Sequence, residues 1–175
     1  PLMKTSADSL KKSADALNDS SLWEKKKIKK KDEKTGEEIE VEDYDWDKIT
    51  KAVKSFVEDY NDVVKEAGES NTKDVLRNAS WMTGMTDKNS NMLAKIGITI
   101  GKGNKLELDE DALKQADISS LKTVFTGYNS FVSKISQKAT GISNAANRAS
   151  ATYTNNGTYS KTDFSLTSSK IDKEV

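Results

Sequence analysis

The spacing of apolar side chains predicts four main helices. Near the N-terminus Met3, Ala7, Leu10, Ala14 and Leu17 step by four and three, a narrow heptad stripe ending near Asn18. A second helix is expected from Asp45 or Asp47 to Ala67. Its broad apolar face comprises Ile49, Ala52, Val53, Phe56, Val57, Tyr60, Val63 and Val64, with Gly68 as its stop. A third follows Asn71, with Val75, Leu76, Ala79 and Met82 inward and Gly84 breaking it. One further turn is expected over 88–94, ending in Met92 and Leu93. The last and longest helix carries Leu121, Val124, Tyr128, Phe131, Ile135, Lys138, Ile142, Ala145 and Ala149 at steps of three and four. Gly127 and Gly141 fall inside it and should each weaken it by about 1 kcal/mol relative to Ala.

Two stretches follow a period of two instead. Ile96, Ile98 and Ile100 alternate, as do Leu106 and Leu108. With Lys102-Gly103-Asn104 as the loop, Ile98 faces Leu108 and Ile100 faces Leu106, a half-buried hairpin over 96–108. Asp109 should cap the helix that follows, with Glu110 and Asp111 favourable in its first turn. Residues 24–43 read "EKKKIKKKDEKTGEEIEVED". Folded at Lys34-Thr35-Gly36, the lysine half lies beside the glutamate half, a solvated ribbon of opposite-charge pairs with Ile28, Ile39 and Val41 as its apolar residues. Trp23 and Trp46 flank this ribbon and are expected to clamp its base onto the helices. Trp81 is expected in the core.

Composition narrows the function. The 175 residues carry 28 cationic and 28 anionic side chains, so no net field draws nucleic acid or an anionic membrane. With no cysteine and no histidine, disulfides, thiolate or imidazole zinc sites, cysteine nucleophiles and Ser-His-Asp triads are excluded. No apolar run approaches the roughly 18–20 residues of a membrane span. The N-terminus does not read as a signal peptide, and Pro1 is not a natural start, which points to a cut or processed chain. After Tyr153 the chain turns polar, and a frayed tail is expected.

Three chemical motifs are imitated along the chain. "GITIGKGNK" (97–105) resembles a phosphate loop, but three residues separate Gly97 from Gly101, Lys102 precedes Gly103 instead of Ser or Thr, and a strand follows instead of a helix. Its expected role is a chain reversal, with Gly97 permitting a close approach. Ser119-x-x-Lys122 and Lys34-Thr35-Gly36 imitate serine acyl-enzyme motifs in the wrong order. Asp43, Asp45 and Asp47 alternate like the start of a calcium loop, but Lys48 replaces the required Gly and Lys54 the bidentate Glu. They read as an acidic helix N-terminus. No catalytic, cofactor or metal residue is assigned.

The strongest signal is the pair of heptad stripes, 3–17 and 121–149, which need helical partners. Those partners lie within the chain, joining its two ends in one bundle, or in other subunits.

The order of elements also resembles a family. "VKSFVEDYNDVV" (53–64) holds Phe56, Tyr60 and Asn61, and "TKDVLRNASWM" (72–82) holds Leu76 and Arg77. "LAKIGITIGKGNKLELDEDAL" (93–113) supplies Leu93, Ile96, Gly97, Ile98, Leu106, Leu108, Asp109 and Leu113, followed by Val124-Phe125-Thr126-Gly127. Together they resemble the C-terminal part of the flagellar filament cap family, hook-associated protein 2. That resemblance implies an axial bundle built from both chain ends, in exported, self-assembling subunits that sit at a filament tip and guide flagellin. Family members usually carry large β-rich domains between the N-terminal helix and this part. Here that interval holds only the charged ribbon.

The expected fold is therefore mainly α: an elongated antiparallel helical bundle or coiled coil with two small β-hairpins, one domain over 1–153 and a polar tail over 154–175. The expected function is structural and non-enzymatic, without cofactor, nucleic acid, membrane insertion or small-molecule substrate. Self-association and flagellin-type subunits are the expected partners, outside the cell on the flagellum, reached without a cleavable signal. Met3, Leu10, Leu17, Leu121, Val124, Tyr128, Phe131, Ile135, Ile142, Ala145 and Ala149 form the expected association stripe. The alternative is a secreted or surface interaction module that reuses the bundle without a flagellar role.

Overall fold

The computed structural model describes residues 2–156, with side-chain environments through residue 151. Within them lie α1 (Leu2–Leu17), β1 (Lys26–Lys31), β2 (Glu38–Asp43), α2 (Trp46–Gly68), α3 (Lys73–Lys88) and α4 (Ser90–Ala94). They are followed by β3 (Ile98–Ile100), β4 (Leu106–Leu108), α5 (Glu110–Gln115), α6 (Ile118–Phe125) and α7 (Phe131–Asn156). The architecture is mainly α with two small antiparallel hairpins, β1–β2 and β3–β4.

Three of the helix starts are capped by an aspartate. Asp45 caps α2 by accepting from the Lys48 amide at 3.1 Å, and Asp109 caps α5 by accepting from the Ala112 amide at 3.1 Å. Asp117 caps α6 through the Ser119 amide. Helix α3 runs through Gly84 to Lys88, so Gly84 does not break it. Glycine lowers helix propensity without forbidding the conformation, and packing on Val75, Ala79, Met82 and Thr86 decides the outcome.

The single long helix expected over 121–149 is two helices. Thr126 is extended and Gly127 adopts φ +100°, so the chain leaves α6 and re-enters a helix at Phe131. Ser130 starts α7 by accepting from the Ser133 amide at 3.1 Å, and Ser133 Oγ donates to the Tyr128 carbonyl at 2.6 Å. Tyr128 is thereby ejected from the stripe and stands 84% exposed. Helix α7 continues to Asn156, past the boundary expected at 153. The tail expected beyond it lies, from residue 157, outside the described residues.

Helix α1 packs on both α2 and α7, and α3 packs on α7 and, less extensively, on α2, where Tyr60 donates to Thr86 Oγ1 at 2.8 Å. One apolar cluster joins them, including Leu10, Leu17, Phe56, Tyr60, Ile135 and Ile142. Burying each large aliphatic or aromatic side chain in it contributes about 1.5–3 kcal/mol. Phe56 meets Phe131 edge-on with centroids 6.3 Å apart. At the other end Trp23 stacks on Phe125 at 5.6 Å and donates its indole N–H to the Leu17 carbonyl at 2.7 Å. Trp23 is thus buried against α1 and α6, while Trp46 packs partly buried on the core beside Tyr44.

Two expected core positions on α3 are not in the core. Trp81 is 56% exposed and Leu76 is 41% exposed. The inward face of α3 is 75, 79, 82 and 86, and each outlier sits one residue from it, turned by about 100°. Trp81 instead takes the Lys138 ammonium over its ring, 4.5 Å from the centroid.

Candidate functional site

The two heptad stripes meet each other inside the molecule. Asp8 accepts from Ser143 Oγ at 2.6 Å, and Asp15 accepts from Ser136 Oγ at 2.7 Å. Along α1 the number rises while along α7 it falls, so the helices run antiparallel, and both steps are one heptad. Each carboxylate also takes a lysine one turn back on its own helix, Lys4 on Asp8 and Lys11 on Asp15, both at 2.7 Å. Lys4 and then Ser143 hold the Asp8 carboxyl below its ordinary value. Burial works against Asp15, but Lys11 and Ser136 outweigh it and its carboxyl also lies below the ordinary value. Asn18 closes the seam by taking the Gly127 amide at 2.8 Å and donating to the Gly127 carbonyl at 3.3 Å.

A second seam joins α3 and α7. Gly141 lies so close to Asn78 that a Cβ there would meet Asn78 Oδ1 at 2.6 Å. Arg148 and Asp74 approach to 3.8 Å farther along. A glycine that only weakens the helix in sequence makes room, in the fold, for the Asn78 side chain of the neighbouring helix.

These seams place the stripe residues. Leu10, Leu17, Leu121, Val124, Phe131, Ile135, Ile142 and Ala145 are buried within one copy of the chain. Met3 and Ala149 are half-buried and Tyr128 is exposed. Met3, Val75, Ala146 and Ala149 line a cleft of about 380 Å³ at the end of the bundle where α1 begins.

The motif hairpin is held at three points. Its register is Ile98↔Leu108, Thr99↔Glu107 and Ile100↔Leu106, as the alternation predicts, with the ladder starting at Ile98 instead of Ile96. Gly97 adopts φ +91°, and a Cβ there would meet the Asp109 carbonyl at 2.7 Å and the Leu113 amide at 2.9 Å. The close approach expected of Gly97 is therefore to the start of α5, and the Gly97 carbonyl accepts from the Asp109 amide at 2.8 Å. Asn61 on α2 pairs with both backbone groups of Leu106. Leu93, Ile96, Ile98, Leu106 and Leu113 point into the core, while Leu108 packs on it partly buried.

The residues that imitate catalytic motifs have structural positions. Lys102-Gly103-Asn104 forms one tight turn with Gly103 at φ +69° and Asn104 at φ +64°. The Glu107 carboxylate lies against Gly101, a negative group where a phosphate loop needs space for an anion. Ser119 Oγ donates to Asp117 at 2.6 Å as part of the α6 cap. Asp43 takes Lys30 at 2.7 Å, and that lysine, then the Tyr44 amide, lowers its carboxyl. Asp45 caps α2. No group of three or more potential metal ligands gathers among the described residues, and no helix among them is long and apolar enough to cross a membrane.

Sequence reasoning passed over the Asn61 and Asn18 clamps and the Asp–Ser pairs between α1 and α7. Asn61 stood inside the motif, and Lys4-x-x-x-Asp8 and Lys11-x-x-x-Asp15 repeat at the heptad interval. Nothing in the sequence says that Ser136 and Ser143 are opposite.

No curated protein and no solved structure matches the chain. A protein-family model does, over residues 70–175, a span that contains α3 to α7 and the motif hairpin and leaves Phe56, Tyr60 and Asn61 upstream. Its description is flagellar hook-associated protein 2 C-terminus, it takes in more than half of the sequence, and the chain belongs to that family.

Proposed function

We propose that this chain is a structural, non-catalytic subunit at the flagellar filament tip that acts by self-association and by contact with flagellin-type subunits. The observation that carries the reading is the antiparallel closure of α1 on α7 through Asp8–Ser143 and Asp15–Ser136. It gives one bundle from both ends of the chain, the arrangement implied for an axial domain. Because most of the stripe is spent inside each copy, the stripe's own share in contacts between subunits falls to its accessible members, Met3, Ala149 and Tyr128, and to the cleft between the first two.

Light scattering of the full chain with and without flagellin tests this. The expected result is a mass increase on mixing that Tyr128→Ala and Met3→Ala reduce. A chain that stays monomeric and ignores flagellin at high concentration overturns it. The β1–β2 ribbon, standing alone between α1 and α2, favours a second reading, a secreted or surface interaction module. That reading predicts binding behaviour indifferent to flagellin.

A further inference from the structure

The β1–β2 ribbon is a sheet of two strands, with the start of α2 and the residues before it flanking Ile28 to Lys30. Among the described residues no third strand pairs with either, so both outer edges present backbone groups without a strand partner. The register is Lys27↔Glu42, Lys29↔Glu40 and Lys31↔Glu38 on one face and Lys26↔Asp43, Ile28↔Val41 and Lys30↔Ile39 on the other. One face is therefore a ladder of opposite charges only. All six of its side chains are exposed, and none of them forms an ion pair among the described residues. The other face carries the apolar residues, with Ile39 41% exposed.

The two edges differ in sign. The β1 edge is "KKIKKK" and the β2 edge is "EIEVED". Laying β1 beside the β1 of a second copy puts lysine against lysine, and β2 beside β2 puts glutamate against glutamate; both are disfavoured. Only β1 beside a second copy's β2 repeats the lysine–glutamate pairing already present inside each ribbon. Adding strands also relieves the marginal stability of an isolated two-stranded hairpin. It would make the Ile28–Ile39–Val41 face continuous with its counterpart in the next copy.

We propose that the β1–β2 ribbon is a head-to-tail docking edge for a second copy of this chain, with the basic β1 of one copy pairing antiparallel with the acidic β2 of the next. The contact is heterologous. Each addition leaves one free basic edge and one free acidic edge, so association continues past a dimer until a ring closes or a chain extends. The inference rests on the ribbon alone and does not require the flagellar reading.

The chain has no cysteine, which makes the test clean. Full-length Lys29→Cys and Glu40→Cys chains, each a single substitution at an exposed position, are treated with a short bis-maleimide separately and mixed. Its reach covers directly opposite and diagonal strand neighbours, about 5–8 Å apart. The expected result is at least about tenfold more mixed product than either like product at about 0.1 M salt. That excess should collapse near 1 M, where screening shortens from about 10 Å to about 3 Å. Circular dichroism of each variant confirms that the bundle is intact. Equal yields of the three pairings, an excess of either like product, or no mixed product with intact bundles overturns the proposal. Flagellin-dependent scattering that persists alongside any of these overturning results removes this docking edge and leaves the flagellar reading standing.

Discussion

Asn61 on α2 and Leu106 on β4 exchange a complete pair of hydrogen bonds. The Leu106 amide donates to Asn61 Oδ1 at 2.7 Å, and Asn61 Nδ2 donates to the Leu106 carbonyl at 3.0 Å. A side-chain amide thus does for the first residue of β4 what a neighbouring strand would do. The three-residue ladder β3–β4 is too short to hold its place by pairing alone. Asn61 fixes it on the long helix that also contacts α1.

Asn61→Ala removes both bonds and leaves a part-buried amide and carbonyl without partners. The expected loss is about 2–3 kcal/mol in denaturant unfolding. Hydrogen exchange distinguishes this from a general loosening: the Leu106 amide should lose protection selectively, while amides in the middle of α1 keep theirs.

Gly97 and Gly84 should respond to alanine in opposite directions. At Gly97 the added Cβ meets two backbone groups below 3 Å and φ is +91°, so Gly97→Ala is expected to cost about 3 kcal/mol or more. At Gly84 nothing lies within 4 Å and the residue sits inside α3, so Gly84→Ala should add about 1 kcal/mol. Thermal unfolding of the two variants reads both signs directly.

The contrast between those glycines shows what the sequence disclosed. The register Ile98↔Leu108 was legible because strict alternation and a short loop admit one pairing. The α1 stripe was legible because Ala7, Leu10, Ala14 and Leu17 are all fully buried. The break at 126–130 was hidden because Leu121, Val124, Tyr128 and Phe131 keep helical spacing across it. The local signals, Gly127 as a stop and Ser130 as a cap, outweigh that periodicity, because a left-handed residue and a satisfied N-terminus act on the backbone itself. Trp81 misled by its size: an aromatic ring one position off the inward face covers the helix surface under a lysine instead of entering the core. A heptad stripe also states that a helix is wanted without saying which one, so the pairing of α1 with α7 became visible only through Asp8–Ser143 and Asp15–Ser136.

The Thr50 hydroxyl is buried in α2 and has no hydrogen-bond partner among the described residues. Valine has nearly the same shape and removes the unmet polar group. Thr50→Val should therefore raise stability by about 1 kcal/mol, read as a higher denaturant midpoint at unchanged slope.

The α1–α7 seam makes stability fall on acidification. Asp8 and Asp15 have folded-state pKa values below their ordinary value of 3.8, Asp8 chiefly because Lys4 and then Ser143 donate to it. For Asp15 burial opposes the shift, and Lys11 and Ser136 together overcome it. A depressed carboxyl contributes stability that is complete above the unfolded-state value and disappears as the pH falls through the folded-state value. Both side chains are about half exposed, 49% and 52%, so solvent and salt reduce the effect, and about 0.3–0.5 kcal/mol per carboxylate is expected at neutral pH. Asp59 acts in the other sense. Burial raises its carboxyl against a lowering hydrogen bond from Ser13, with Asp62 and Glu58 adding to the rise. Its charged form is a burden at neutral pH that protonation relieves. The double variant Asp8→Asn/Asp15→Asn should therefore be less stable at pH 7 and lose less on going to pH 3. Asp59→Asn should be more stable at pH 7 and gain nothing on acidification. Urea midpoints of the three chains between pH 3 and pH 7 decide the matter. An unchanged acid slope in the double variant would mean that the Asp–Ser pairs do not hold the two ends of the chain together.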